Sequence, residues 1–286
     1  MSGAQVDRLE ALARADAVVA PLARLQAEAL QIALDPQWSQ ALSPEQVLAI
    51  PDEPLLHRQR LALDSHMVVA ALHALLDVAI QAEIGEVLAV RDALHTGAFD
   101  PLALLQAGVV VDSPQLTRLA RRAAVAPELL TTLGQVLALP LLHACGEMLA
   151  SRAATRDWAV GYCPVCGAWP ALAELRGLER ERWLRCGRCG SAWKFPHQRC
   201  VFCGNDDFRS LHYLAPEGQQ DALRAECCQR CRGYLKTVAT LGALSHEAVL
   251  VRDLTTLELD LAALDQQYQR TRVLGFPLVV HLVARD

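Results

Sequence analysis

Met67, Ala70, Ala71, Ala74, Leu75 and Val78 occupy positions i, i+3, i+4, i+7, i+8 and i+11 of an α-helix, one apolar stripe that predicts a helix facing a core. Leu133, Val136, Leu137 and Leu141 repeat the pattern, and Pro140 within it predicts either a kink or the first turn of a new helix. Ser43-Pro44-Glu45-Gln46 reads as a helix start, with a hydroxyl cap, proline at the first helical position and Gln46 completing a capping box. Ser113-Pro114 repeats the first two elements. The prolines of DPQWSQ before Ser43 and of PDEP at 51–54 predict connecting loops. Further on, Leu250, Leu254, Leu257, Leu261 and Leu264 predict one helix, with Asp253, Glu258 and Asp260 on its polar side. The tail GFPLVVHLV predicts a short strand.

These elements give a large all-helical domain over residues 1–155, in which packing alone accounts for the pattern and His57, His66, His73 and His143 add no chemistry. The chain of 286 residues is 52% hydrophobic and 21% charged, which excludes a disordered polymer. The longest apolar stretches, 67–80 and 133–142, are interrupted by His73 and Asp77 or fall short of the roughly 20 residues a bilayer needs, so no membrane insertion is expected. The opening MSGAQVDRLEALARADAVV spreads charge where a signal peptide needs an apolar core, which points to a reduced, intracellular chain.

Nine of the ten cysteines lie between Cys163 and Cys231, and eight of them form four CxxC pairs: Cys163/Cys166, Cys186/Cys189, Cys200/Cys203 and Cys228/Cys231. The first two pairs are separated by 19 residues and the last two by 24, so each neighbouring couple can close a tetrahedral four-thiolate site. This predicts two tandem rubredoxin-like or zinc-ribbon modules, at 156–197 and 198–245, followed by a C-terminal helix and tail at 246–286. The fold class is thus multidomain, α plus small β. Gly167, Gly190 and Gly204 each follow a second cysteine, where positive φ brings an amide close to sulfur, whereas the fourth knuckle has Arg232 there and Gly233 next. Cys227 reads as a spare thiol, with substitution as a ligand beside Cys228 the alternative, and Cys145 as a core thiol; His197 and His212 read as loop or strand residues.

Residues 163–236 hold 12 Lys or Arg against 8 Asp or Glu, a formal +4 that leaves −9 of the total −5 elsewhere. Two divalent ions, each in four thiolates, carry about −2 apiece, so the basic residues balance the clusters and nucleic acid is not the expected partner. Arg180, Arg182, Arg185 and Arg188, interleaved with Trp183 and Trp193, form the strongest nucleic-acid candidate.

CPVCGAWP, RWLRCGRCGSAW, CVFCGN and CCQRCRGYLK, behind an Ala/Leu-rich helical region, resemble the E-type formation proteins, the formate dehydrogenase accessory family. The resemblance implies a maturation factor rather than an enzyme, acting in the cytoplasm on the catalytic subunit of a molybdenum-dependent formate dehydrogenase. It also implies iron at the two cysteine quartets, with a redox role. Spacing alone leaves zinc equally open, because tetrahedral sulfur ligation suits both metals. The alternative is a structural-zinc ribbon module that recognises protein or nucleic acid without redox chemistry.

Overall fold

The computed structural model describes residues 6–271 and 273–285. In chain order the elements are α1 (Asp7–Ala15), α2 (Ala20–Ile32), β1 (Gln59–Leu63), α3 (Ser65–Gln81), α4 (Val87–His95), α5 (Pro101–Val110), α6 (Ser113–Ala123), α7 (Pro127–Met148), α8 (Ala150–Ala154), β2 (Leu172–Arg176), β3 (Glu181–Arg185), β4 (Ala192–Lys194), β5 (Leu211–Leu214), β6 (Leu223–Cys228), β7 (Tyr234–Thr240), α9 (His246–Leu254), α10 (Leu257–Asp265) and β8 (Val280–Ala284). They divide into two compact units, each discontinuous in sequence. One comprises Met1–Val47, Leu56–Met148 and Leu278–Asp286; the other comprises Leu48–Leu55 and Leu149–Pro277.

The first unit is built around α7, against which α2, α5 and α6 pack. Leu133, Val136, Leu137, Pro140 and Leu141 are all buried, and Pro140 sits inside one continuous helix. By length and composition α7 could cross a membrane, beyond what residues 133–142 alone indicate, but 72% of its apolar window is buried inside the fold. The backbones of α5 and α7 approach so closely that a Cβ on Gly108 would lie 1.9 Å from the Gly134 carbonyl oxygen. Asp64, Asp100 and Asp112 cap α3, α5 and α6, accepting from the backbone N–H of His66, Leu102 and Gln115 at 2.7, 2.9 and 2.9 Å.

Several expectations need correction here. The unit is not all-helical, because β1 pairs in parallel with β8 from Gln59↔Val280 to Leu63↔Ala284. The predicted tail strand therefore belongs with the helices. Ser43 starts only a single 3-10 turn and makes no side-chain cap, and α6 is capped by Asp112, with Ser113 already helical. DPQWSQ forms a 3-10 helix, Pro36–Ala41, with Trp38 fully buried. In α3 the buried residues are Val68, Ala71, Leu72, Leu75, Leu76 and Ala79, while Ala70 is exposed. That segment is apolar nearly all round, so several stripes satisfy the period and the larger side chains take the core.

The second unit carries a six-stranded sheet in the order β4-β3-β2-β7-β6-β5. Each half is an antiparallel three-stranded meander, and the halves join through the parallel pair β2/β7, from Leu172↔Lys236 to Arg176↔Thr240. Both halves run in the same order: knuckle, strand, strand, knuckle, strand. The two ribbons therefore share one sheet. Strand alternation puts Leu172, Ala225, Cys227, Tyr234 and Val238 on one face of the sheet. There Tyr234, Ala225 and Cys227 pack with Leu259 and Ala263 of α10, and Leu172 and Val238 pack with Val249 of α9.

The single C-terminal helix of the sequence reading is two, α9 and α10. The Thr256 hydroxyl donates to the Arg252 carbonyl at 2.7 Å, a local competitor to helix continuation. Leu250 and Leu254 are buried on α9, but Leu261 and Leu264 are 67% and 54% exposed, and Leu259 and Ala263 are the buried residues of α10. Asp253 and Asp260 do not form a solvated face. The buried Lys236 ammonium reaches them at 2.8 and 2.6 Å, Arg270 joins Asp253 at 2.9 Å, and the Tyr234 hydroxyl donates to Asp260 at 2.7 Å.

Candidate metal centres

The eight paired cysteines come together as the two quartets expected from their spacing, Cys163/Cys166/Cys186/Cys189 and Cys200/Cys203/Cys228/Cys231. All four knuckles share one backbone plan. The residue after the second cysteine donates its N–H to the first cysteine's carbonyl: Gly167 to Cys163 at 3.0 Å, Gly190 to Cys186 at 3.2 Å, Gly204 to Cys200 at 3.0 Å and Arg232 to Cys228 at 2.9 Å. The first cysteine in turn donates to the carbonyl five residues on: Ala168, Ser191, Asn205 and Gly233 respectively, at 2.7–2.9 Å. The turn requires a left-handed residue, with φ of +71°, +77° and +70° at the glycines and +59° at Arg232. Arg232 is held there by its guanidinium, which hydrogen-bonds the carbonyls of Gln266 and Gln267 and stacks over Tyr268 at 4.1 Å.

Sulfur pairs across the knuckles lie 3.5 Å apart at Cys163/Cys189 and Cys166/Cys186, 3.6 Å at Cys200/Cys231 and 3.8 Å at Cys203/Cys228. Within each quartet all the sulfurs fall within 4.8 Å of one another. Metal–sulfur bonds of about 2.3 Å in a tetrahedron put sulfurs about 3.8 Å apart, so both quartets fit a metal ion. Backbone amides also turn onto sulfur, from Val165 to Cys163 and Arg188 to Cys186 at 3.4 Å. The buried Asn205 amide donates to Cys228 Sγ at 3.9 Å and to Ser210 Oγ at 2.6 Å, a support that cysteine counting does not single out.

The quartets differ in their access to solvent. All four thiols of the first are buried, whereas in the second Cys203 is exposed and Cys231 half-buried. Burial pushes the Cys163 and Cys189 thiols well up; Cys186 meets the same penalty, but hydrogen bonds from the other three thiols outweigh it and hold it well below the usual thiol range. In the second quartet burial raises Cys231 to about 11.

Residues set aside by the sequence reading find other partners. Cys227 lies on the strand face packed by α10, opposite to Cys228, where burial raises its thiol to about 12. The His212 ring meets the Tyr268 hydroxyl at 2.7 Å, and His197 is exposed in a turn. The Arg/Trp candidate for nucleic acid does not form one surface. Arg185 is buried, donating to Glu174 and to the Leu244 carbonyl, both at 2.6 Å; Arg182 is buried against Glu226 at 2.6 Å; Trp193 is buried as well. Glu174, fully buried, also pairs with Arg176, whose guanidinium stacks on Trp183. Burial of arginines in ion pairs is invisible to a pattern that treats charge as surface.

Two four-cysteine quartets on a duplicated, continuous sheet define a two-ribbon protein whose thiols could hold two metal ions. Residues 198–276, which hold the second quartet, match the family model described as FdhE, C-terminal domain. A protein FdhE homolog of Stutzerimonas stutzeri is 35% identical over 147 residues, 50% of this chain and 47% of its own length. A protein FdhE homolog of Aquifex aeolicus is 32% identical over 117 residues, 39% of this chain and 40% of its own. Protein FdhE of Escherichia coli is 32% identical over 117 residues, 40% of this chain and 37% of its own. The matches thus span about half or less of those relatives. The crystal structure of the FdhE protein from Pseudomonas aeruginosa shares the fold, with a TM-score of 0.57 over 96% of this chain and 94% of that one at 22% identity. Over those stretches the chain is similar to FdhE proteins, and the solved structure shows that the fold is shared.

Proposed function

We propose that the chain is an accessory protein in formate dehydrogenase maturation, acting in the cytoplasm on the catalytic subunit of a molybdenum-dependent enzyme. The observation that carries this reading is the second quartet, which is geometrically complete within the stretch that matches the FdhE C-terminal domain. Cys163, Cys166, Cys186 and Cys189 hold one metal ion, and Cys200, Cys203, Cys228 and Cys231 the other. We favour iron, which in four thiolates supplies one-electron redox chemistry. The chain's own part is to present eight thiolates in preformed knuckles, to donate amides to their sulfurs, and to keep the first quartet dry. Closed four-sulfur sites keep no open position for a substrate water, which supports a helper rather than a hydrolytic enzyme.

The test combines co-purification with metal analysis. Co-expression with the catalytic subunit of formate dehydrogenase should recover a complex, and protein prepared without oxygen should contain two iron ions per chain, with thiolate-to-iron bands that change in air. Failure to recover the subunit and to restore its activity removes the accessory reading. Colourless protein with two zinc ions removes the redox half and favours the structural-zinc alternative.

A further inference from the structure

We infer that the sheet face turned away from α9 and α10 is a docking cleft for a partner polypeptide, taking an apolar side chain flanked by a carboxylate. A cavity of about 240 Å³ lies there, lined by Phe202, Phe208, Leu211 and Tyr213, with Cys200 and Cys228 of the second quartet also in its wall. That volume is below the roughly 300–1,000 Å³ of small-molecule sites and suits one or two side chains. Among the exposed large hydrophobics of the described residues only two are aromatic, Phe208 at 66% and Tyr213 at 53%, and both line this cavity. Exposed aromatics beside arginine are the composition of protein-binding hot spots.

Charge selects the occupant. Arg182, Arg199 and Arg224 line the cleft against a single acid, Glu226. Glu226 is committed, accepting from Arg182 at 2.6 Å and from Arg224 at 2.8 Å. Arg199 is exposed, with its Nε donating to the Gly204 carbonyl at 3.4 Å, and its guanidinium is available to a carboxylate. A polyanion is the poorer complement: the adjoining quartet carries about −2 around a divalent ion, so the lining is no cationic track for a phosphate backbone. The cleft rests on the reading that the chain docks a client polypeptide, and gives that client a place to bind.

The experiment is fluorescence anisotropy on the metal-loaded full chain. Four labelled probes are used: a peptide alternating leucine and glutamate, its leucine–lysine and serine–glutamate counterparts, and an oligothymidylate. The leucine–glutamate peptide should bind, and each counterpart should bind at least roughly tenfold more weakly. Phe208→Ala and Arg199→Glu should each weaken it by roughly tenfold while metal content stays unchanged. Absence of binding, equal binding of the three peptides, unchanged affinity in both variants, or tighter binding of the oligothymidylate overturns the cleft. If the peptide fails while the formate dehydrogenase subunit still co-purifies, the cleft is wrong and the accessory reading stands. If the peptide binds as expected and the subunit does not co-purify, the accessory reading fails and the cleft stands.

Discussion

Arg182 of β3 and Glu226 of β6 meet at 2.6 Å although β2 and β7 run between their strands. The pair joins the two halves of the duplicated sheet on the face away from the helices, and Arg182 adds bonds to the carbonyls of Pro196 at 2.8 Å and Arg199 at 3.2 Å, in the linker between the ribbons. Removing one member of a buried pair costs about 3–5 kcal/mol. Because Glu226 keeps Arg224 and some exposure, Arg182→Ala should lose about 3 kcal/mol. Urea unfolding followed by tryptophan fluorescence measures it; a shift no larger than that of an exposed-arginine control removes the pair's structural role.

Metal release should be biphasic. An excess of chelator added to loaded protein meets the exposed Cys203 in one quartet and four buried thiolates in the other. The first ion should leave well before the second, and Cys203→Ser should accelerate only the fast phase. Release of both ions in a single phase contradicts this.

The fourth knuckle allows a comparison of two substitutions at one residue. Arg232→Ala loses the bonds to Gln266 and Gln267 and keeps a left-handed backbone that costs an L-residue about 1–2 kcal/mol. Arg232→Gly loses the same bonds and relieves the backbone, so it should be the less damaging of the two. At Gly190 the same order holds: Gly190→Ala adds both the left-handed cost and a Cβ 3.0 Å from the His246 ring, so alanine is again the worse residue. Thermal midpoints of the loaded variants test both orders.

Asp253 should contribute to acid sensitivity. Its burial raises the carboxyl pKa, but Arg270 and Lys236 outweigh that and hold it below the usual carboxylate range. Asp260 and Tyr234 share the network. A depressed folded pKa gives stability that is present above the unfolded value of about 3.9 and lost as pH falls through the folded one. Asp253→Asn should therefore be less stable near neutrality and show a shallower loss on acidification below about pH 4. Parallel stability-versus-pH curves for the two proteins would sink the assignment.

The knuckles were legible in the sequence, because two intervening residues, with a following glycine in three of the four, are local signals. Their grouping into quartets followed from loop length. What stayed hidden depends on long-range pairing: β2 against β7, and β1 against β8 across more than two hundred residues. Charge misled for the same reason. Glu174, Arg182, Arg185 and Lys236 look like surface until the fold buries them in ion pairs. The stripe from Leu250 to Leu264 obeys helical period, yet the chain breaks after Leu254 and the second helix buries a different face.

The parallel pairing of β1 with β8 orders events during synthesis. β1 emerges early, but its partner lies C-terminal to both ribbons, so the helical unit cannot be completed until the whole cysteine-bearing segment has left the ribosome. Four knuckles will have been made, and can take up metal, while that strand is still waiting. A nascent chain arrested before Val280 should therefore hold formed metal sites beside an unfinished helical unit, and premature termination there should yield a protease-sensitive product that is already metallated.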